Sequence, residues 1–145
     1  MEKIPTKRLR EGAVIPTYGT AFSAGADLYA CLEEPVVIAP GETVKIPTGL
    51  AMELPAGTAG LVFARSSLGT KRGLAPANKA GVIDSDYRGE VLVVLHNHSR
   101  DTQQIAPGER VAQLLIVPVF TPGFAEADEL SDTDRGSGGF GSTGK

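Results

Sequence analysis

The stretch that decides the fold is Val36-Val37-Ile38-Ala39-Pro40-Gly41-Glu42-Thr43-Val44-Lys45-Ile46-Pro47-Thr48-Gly49-Leu50-Ala51-Met52-Glu53-Leu54-Pro55. Its apolar and β-branched runs, Val36 to Ile38, Thr43 to Ile46 and Leu50 to Leu54, are each ended by proline or by proline with glycine. Runs this short suit strands, because a helix needs several turns before it can bury a useful stripe. The same rhythm extends outward to Gly60–Ala64, Glu90–Asn97 and Val111–Phe120, and eighteen glycines and ten prolines keep the breaks frequent. The last two runs are almost continuously apolar, which predicts strands buried on both faces, with a bend at Pro118. The expected fold class is therefore all-β, a jelly-roll-like barrel or sandwich whose loops carry the chemistry. No internal sequence repeat stands out.

A chain of 145 residues, 41% of them hydrophobic, can bury one ordinary core. That core is assigned to residues 1–120, with 121–145 as a C-terminal arm. Fourteen basic against seventeen acidic residues give a net charge of -3, so neither nucleic acid nor an anionic membrane is an expected partner. The lone Cys31 has no disulfide partner, Met1–Arg10 lacks the apolar core of a secretory signal, and no run is long enough to span a bilayer. A cytoplasmic location is the expectation.

From Thr121 the character changes. An acidic stretch, Glu126–Asp134, leads into Arg135-Gly136-Ser137-Gly138-Gly139-Phe140-Gly141-Ser142-Thr143-Gly144-Lys145. With few apolar groups to offset the entropy of ordering, this arm should be mobile alone. It is either a disordered terminus or a phosphate cradle, in which Arg135, Ser142, Thr143 and Lys145 surround glycines whose N–H groups can converge. Phe140 has no core to join and could lie flat on a planar base. Gly139–Lys145 also fits G-x-x-x-x-G-K, but a P-loop needs a strand before it and a hydroxyl residue and a helix after the lysine, so no P-loop fold is expected.

Four further segments carry candidate chemistry. Ala64-Arg65-Ser66-Ser67-Leu68-Gly69-Thr70-Lys71 is either a capped surface turn or a second phosphate grip. Asn78 to Glu90 reads as an apolar hairpin with carboxylates at its base. There Asp84, next to Val82 and Ile83, either satisfies a turn or sits near a low-dielectric wall and deprotonates water, while Tyr87 fills the core edge or closes off a sugar. Asp27, set among small residues in Ser23–Ala30, either bonds a turn or faces magnesium-bound water. Gln113 in Arg110–Leu115 must be hydrogen-bonded, to backbone or to substrate. His96 and His98 could share a strand face, but without a third ligand they are read as ordinary strand residues.

Taken together and in this order, Ala24-Gly25-Ala26-Asp27-Leu28, Arg65-Ser66-Ser67-Leu68-Gly69, Gly81-Val82-Ile83-Asp84-Ser85-Asp86-Tyr87, Arg110-Val111-Ala112-Gln113-Leu114 and Arg135–Gly141 resemble the motif set of the trimeric dUTPase family. The resemblance covers Ser23 to Lys145. It implies a homotrimer that hydrolyses dUTP to dUMP and pyrophosphate with Mg2+, supplying dUMP for thymidylate synthesis and keeping uracil out of DNA. Asp84 would be the general base for attack on the α-phosphorus, and Tyr87 would stack under the deoxyribose. Asn78, with the backbone of Val82 and Ile83 and a contact from Leu92, would hold uracil. Arg65, Ser66, Ser67 and Gln113 would handle phosphates, with Asp27 touching water bound to magnesium. The arm of one subunit would close a pocket formed by two others, Phe140 capping uracil while Arg135, Gly141, Ser142 and Thr143 meet the nucleotide. Some relatives have proline and glycine where this chain has Ala64 and Ser67, which weakens the case for the Ser67 side chain.

Two other readings remain at this point. The dCTP deaminases of the same superfamily share the arginine-serine-serine segment, and a non-catalytic jelly roll could use the arm as a latch. The Asp84–Tyr87 segment and Phe140 favour the hydrolase.

Overall fold

A proline that presets φ followed by a glycine free to turn left-handed is a type II turn, and the tetrapeptide Ala39-Pro40-Gly41-Glu42 makes one. Gly41 has φ +77°, the Glu42 N–H donates to the Ala39 carbonyl at 3.0 Å, and the Glu42 carboxylate accepts from the Ala39 N–H at 2.8 Å. Ala106-Pro107-Gly108-Glu109 repeats both the sequence and the bonds, with Gly108 at φ +72°. This short repeat was not expected. It recurs because two places need the same tight reversal.

The structure is a computed structural model that describes residues 3–140. Twelve strands are present among them: β1 (Thr6–Arg8), β2 (Thr17–Tyr18), β3 (Ala26–Tyr29), β4 (Val36–Ile38), β5 (Thr43–Pro47), β6 (Leu50–Met52), β7 (Thr58–Phe63), β8 (Leu74–Pro76), β9 (Gly81–Ile83), β10 (Leu92–Asn97), β11 (Gln103–Ile105) and β12 (Arg110–Pro118). One helical turn, Ser67–Arg72, joins β7 to β8. The all-β, jelly-roll-like expectation holds. Every strand pair is antiparallel, and the pairs form sheets ordered β1-β6, β5-β10-β8, β11-β4 and β2-β3-β12-β7-β9.

All four sheets feed a single core, through Leu28, Ile38, Ile46, Leu50, Val62, Leu74, Leu95, Ile105 and Val111. Its two fully buried polar side chains are satisfied. Thr48 donates to the Val91 carbonyl at 2.6 Å, and Asn97 donates to the carbonyls of Ile38 and Asp101 at 2.9 and 2.8 Å. Among the described residues no helix is long and apolar enough to cross a membrane.

Two expectations need correction. β10 and β12 are not buried on both faces within the chain. Val93 and Leu95 are buried, whereas Val94 is half-buried and Leu92 exposed, and Leu115 to Val117 are only half-buried. A continuous apolar run puts apolar side chains on both faces of a strand but does not fix how far the chain covers each face. Pro118, expected as a bend, is instead the end of β12. Beyond it, residues 119–137 are exposed throughout, with Phe120, Phe124 and Leu130 almost wholly bare.

Candidate active site

The Asn78–Glu90 segment is not a hairpin. β9 pairs with β7 at the edge of the five-stranded sheet, whereas β10 lies between β5 and β8 in another sheet. The two strands part, and a cleft of about 240 Å³ opens between them, with Val62 and Pro76 among its walls. The sequence favours this opening. Gly81 approaches β7 so closely that a Cβ there would lie 3.3 Å from that of Val62, and Lys79 takes φ +66° to close the turn before it. Asn78, Val82, Ile83, Asp84, Tyr87 and Leu92 all line this one cleft.

Asp84 follows the last residue of β9 and is exposed, in a cleft that Val62, Val82 and Ile83 also line; among the described residues no side chain bonds its carboxylate. Its carbonyl accepts the Tyr87 N–H at 3.1 Å, which turns the chain. The Tyr87 hydroxyl donates to the Glu90 carbonyl at 3.1 Å, laying the ring over Gly89. A Cβ on Gly89 would come within 2.3 Å of that hydroxyl, so the ring occupies the space a side chain would need.

A second cluster forms at the other end of β7. Asp27 of β3, Gln113 of β12 and Phe63 of β7 share one cross-strand row. Asp27 is buried, with both oxygens engaged: Arg65 Nε donates at 2.7 Å and Arg110 Nη1 at 3.3 Å. It is thus a strand residue holding two guanidinium groups, not a turn aspartate, and Arg110 is a partner that sequence reasoning left without a role. Only the charge balance of a buried carboxylate beside nearby arginines could have signalled it. Arg65 Nη1 also reaches Ser67 Oγ at 3.3 Å, while Ser66, exposed at the start of the helical turn, makes no capping bond. Gln113 Nε2 donates to the Ala64 carbonyl at 2.9 Å, and its Oε1 fills the space over Gly25.

The register separates the two clusters. Ile83 pairs with Gly60 and Gln113 with Phe63, on opposite sides of β7. At ~3.3 Å per residue and ~4.8 Å between strands, Asp84 and Gln113 stand roughly 16 Å apart.

Residues 11–144 match the family model described as dUTPase. The chain belongs to the dUTPase family.

Similar curated dUTPases include the deoxyuridine 5'-triphosphate nucleotidohydrolase of Desulfitobacterium hafniense, 52% identical over 98% of this chain and 95% of that one. The protein of that name from Hahella chejuensis is 50% identical over 98% of this chain and 94% of its own. Among solved structures, a variant of the Staphylococcus bacteriophage 80alpha dUTPase with dUpNHpp is 28% identical, covers all of both chains and superposes with a TM-score of 0.88. A variant dUTPase from phage phi11 of S. aureus, described with a structural Mg(II) ion, is 27% identical over 90% of this chain and 100% of that one, with a TM-score of 0.82.

The motif residues of this dUTPase chain therefore divide three ways. Asn78, Val82, Ile83, Asp84, Tyr87 and Leu92 meet in the cleft, and Asp27, Arg65, Ser67 and Gln113 meet across the sheet, with Ser66 adjoining. The arm joins neither. Arg135 Nε turns back onto the Gly138 carbonyl at 2.8 Å, and Phe140 is fully exposed at φ +50°. Gly141, Ser142 and Thr143 lie outside the described residues.

No group of three or more metal-ligating side chains occurs among the described residues. His96 and His98 do face each other, with ring centroids 4.4 Å apart, but only His96 lies within β10, where its Nδ1 meets Thr43 Oγ1 at 2.8 Å. Partial desolvation, then the Lys79 ammonium and the His96 ring, hold the His98 pKa below its ordinary 6.5.

Proposed function

We propose that this chain hydrolyses dUTP to dUMP and pyrophosphate as a homotrimer, with Mg2+, in the cytoplasm. The observation that carries the reading is the cleft between β9 and β10, where an amide, two strand residues, an aromatic ring and an exposed carboxylate converge. In it Asn78 and the Val82–Ile83 backbone hydrogen-bond uracil beside Leu92. The Tyr87 ring, fixed over Gly89, packs against C2′ of the sugar and refuses a 2′-hydroxyl by contact. Asp84 takes a proton from water as its oxygen attacks the α-phosphorus; the bond to the bridging oxygen breaks and pyrophosphate leaves. Its exposed carboxylate, with no side-chain partner among the described residues, is available for that work.

The 16 Å gap supports a composite site. Arg65, Ser66, Ser67 and Gln113 of a second subunit hold the phosphates of a nucleotide seated in the first, and Asp27 keeps Arg65 aimed. The arm, 121–145, reaches from a third copy to this site while the body, 1–120, forms the barrel, with Phe140 over uracil and Arg135, Gly141, Ser142 and Thr143 at the distal phosphates. Its bare apolar side chains and the half-covered faces of β10 and β12 fit such an assembly.

Magnesium suits this donor set. The ion dehydrates reluctantly and takes phosphate oxygens with few carboxylates, so a chain with no dedicated cage among its described residues fits a metal carried mainly by the triphosphate. Asp27, its oxygens already engaged by arginines, would reach the metal only through water. When bound, the ion neutralises the phosphate charge that otherwise repels the nucleophile.

The deciding assay gives purified protein dUTP, dTTP, dCTP and UTP, each with and without magnesium. Pyrophosphate and dUMP are expected from dUTP alone, and only with the metal. Ammonia from dCTP would move the chain to the deaminase branch, and binding without turnover would make it a binding protein.

A further inference from the structure

Asp84 and Tyr87 stand on one tight turn, which few bonds among the described residues hold. The far end of the loop is firmly tied: Glu90 accepts the Gly49 N–H at 2.8 Å and Arg10 at 2.9 Å, and Thr48 donates to the Val91 carbonyl. Within the turn the Tyr87 N–H donates to the Asp84 carbonyl. Two further contacts hold it: the Tyr87 hydroxyl on the Glu90 carbonyl, which ties the ring to the fixed end of the loop, and Arg88. The Arg88 Nη1 donates to the Ser85 carbonyl at 2.7 Å and to the Tyr87 carbonyl at 3.1 Å, while Nη2 lies 3.7 Å from the carboxylate of Glu53, the residue after β6.

We infer that Arg88 is the positioning residue of the reactive turn, its guanidinium bridging the carbonyls of Ser85 and Tyr87 so that the carboxylate of Asp84 and the ring of Tyr87 hold a fixed relation to each other. The inference rests on the dUTP-hydrolysis reading and deepens it. The bridge sits beside two bonds whose orientation decides different properties: one sets the direction of the base, the other the wall that rejects a 2′-hydroxyl. Arg88 therefore governs rate and sugar selectivity together.

The placement also says what Arg88 does not do. The Arg88 and Glu53 side chains are 53% and 62% exposed, and an ion pair so open to water adds little to stability. A guanidinium can present one nitrogen to two carbonyls while a second faces a carboxylate; an ammonium on a flexible stem cannot hold that fork.

The test compares wild type, Arg88→Ala and Arg88→Lys for kcat and KM on dUTP, for the ratio of kcat/KM between dUTP and UTP, and for Tm. Misplacement of reacting groups by about 1 Å costs up to ~100-fold, so Arg88→Ala should lose about 10- to 100-fold in kcat. Its KM should change much less, because the uracil contacts lie elsewhere in the cleft. The dUTP-to-UTP ratio should fall with kcat, Tm should stay near wild type, and Arg88→Lys should restore neither kcat nor the ratio. Should Arg88→Ala fail to fold, Arg88→Lys, which keeps stem and charge, carries the same requirement. An active wild type with both variants unimpaired, or full rescue by lysine, overturns the inference alone. A wild type inert toward dUTP overturns the hydrolase reading and this inference with it.

Discussion

The two ends of β7 are built on opposite plans. Beside its N-terminal half, β9 and β10 diverge into a cleft whose carboxylate, Asp84, faces water unpaired. In the cross-strand row of the last residue of β7, Phe63, the buried carboxylate Asp27 is saturated by Arg65 and Arg110. On the proposed mechanism the unpaired carboxylate takes a proton from water, while the enclosed one holds Arg65 and Arg110 in place and meets the metal only through water.

The largest expected effect tests the open end. Asp84→Asn should bind dUTP as wild type does and lose about a thousandfold in turnover, the scale of a general base. Calorimetry and pyrophosphate release measure the two halves of that statement; wild-type turnover would remove Asp84 from the mechanism. The same variant sharpens the comparison when refolded together with Arg65→Ala. If the two ends serve one site from different subunits, random trimers regain roughly a quarter of their sites, because each intact site draws one good half from each variant. No recovery would mean that both halves act within one chain.

Next comes the arm, which belongs to neither end in the single chain. Deleting 136–145 should leave Tm unchanged and cut turnover by about 100-fold, the cost of losing positioned contacts to the nucleotide. Full activity after deletion would leave the arm without a role.

The saturated end answers in stability. Asp27→Asn strands two arginines, one of them largely covered, and should cost about 3 kcal/mol, near the low end for breaking a buried pair because Arg110 is half exposed. A denaturant midpoint unchanged from wild type would show that the network is dispensable.

The smallest effect concerns His98. Its folded pKa lies below the ordinary 6.5, so the unfolded chain binds a proton first as pH falls. Stability is therefore full above pH 6.5 and declines slightly as pH drops from there through the folded value. Replacing Lys79 with methionine should raise the His98 pKa, and a proton NMR titration reads it directly.

Strand positions were legible wherever turn chemistry is local. Val36–Ile38 matches β4, and Thr43–Ile46 and Leu50–Leu54 lie within a residue or two of β5 and β6, because proline and left-handed glycine act on their immediate neighbours. Pairing was not legible. The Asn78–Glu90 hairpin failed since β9 and β10 pair with other strands, β7 for the one and β5 and β8 for the other, and neighbours in sequence usually but not always pair. Candidate residues were found by type and spacing, as Asp84, Tyr87 and Gln113 illustrate. Their contacts were not: that Asp27 would recruit Arg110, or that Tyr87 would lie over Gly89, depends on side chains meeting across strands and turns.

The arm has one more consequence. Val119 still bonds to the Gly57 carbonyl, but among the described residues from 120 onward the only hydrogen bonds are between near neighbours in the arm itself. An endoprotease can sever such a strap while every sheet stays closed, because cleavage there requires no unfolding. The clipped barrel would still look native to any chaperone that surveys exposed cores, and on the proposed mechanism the cut would register in turnover alone.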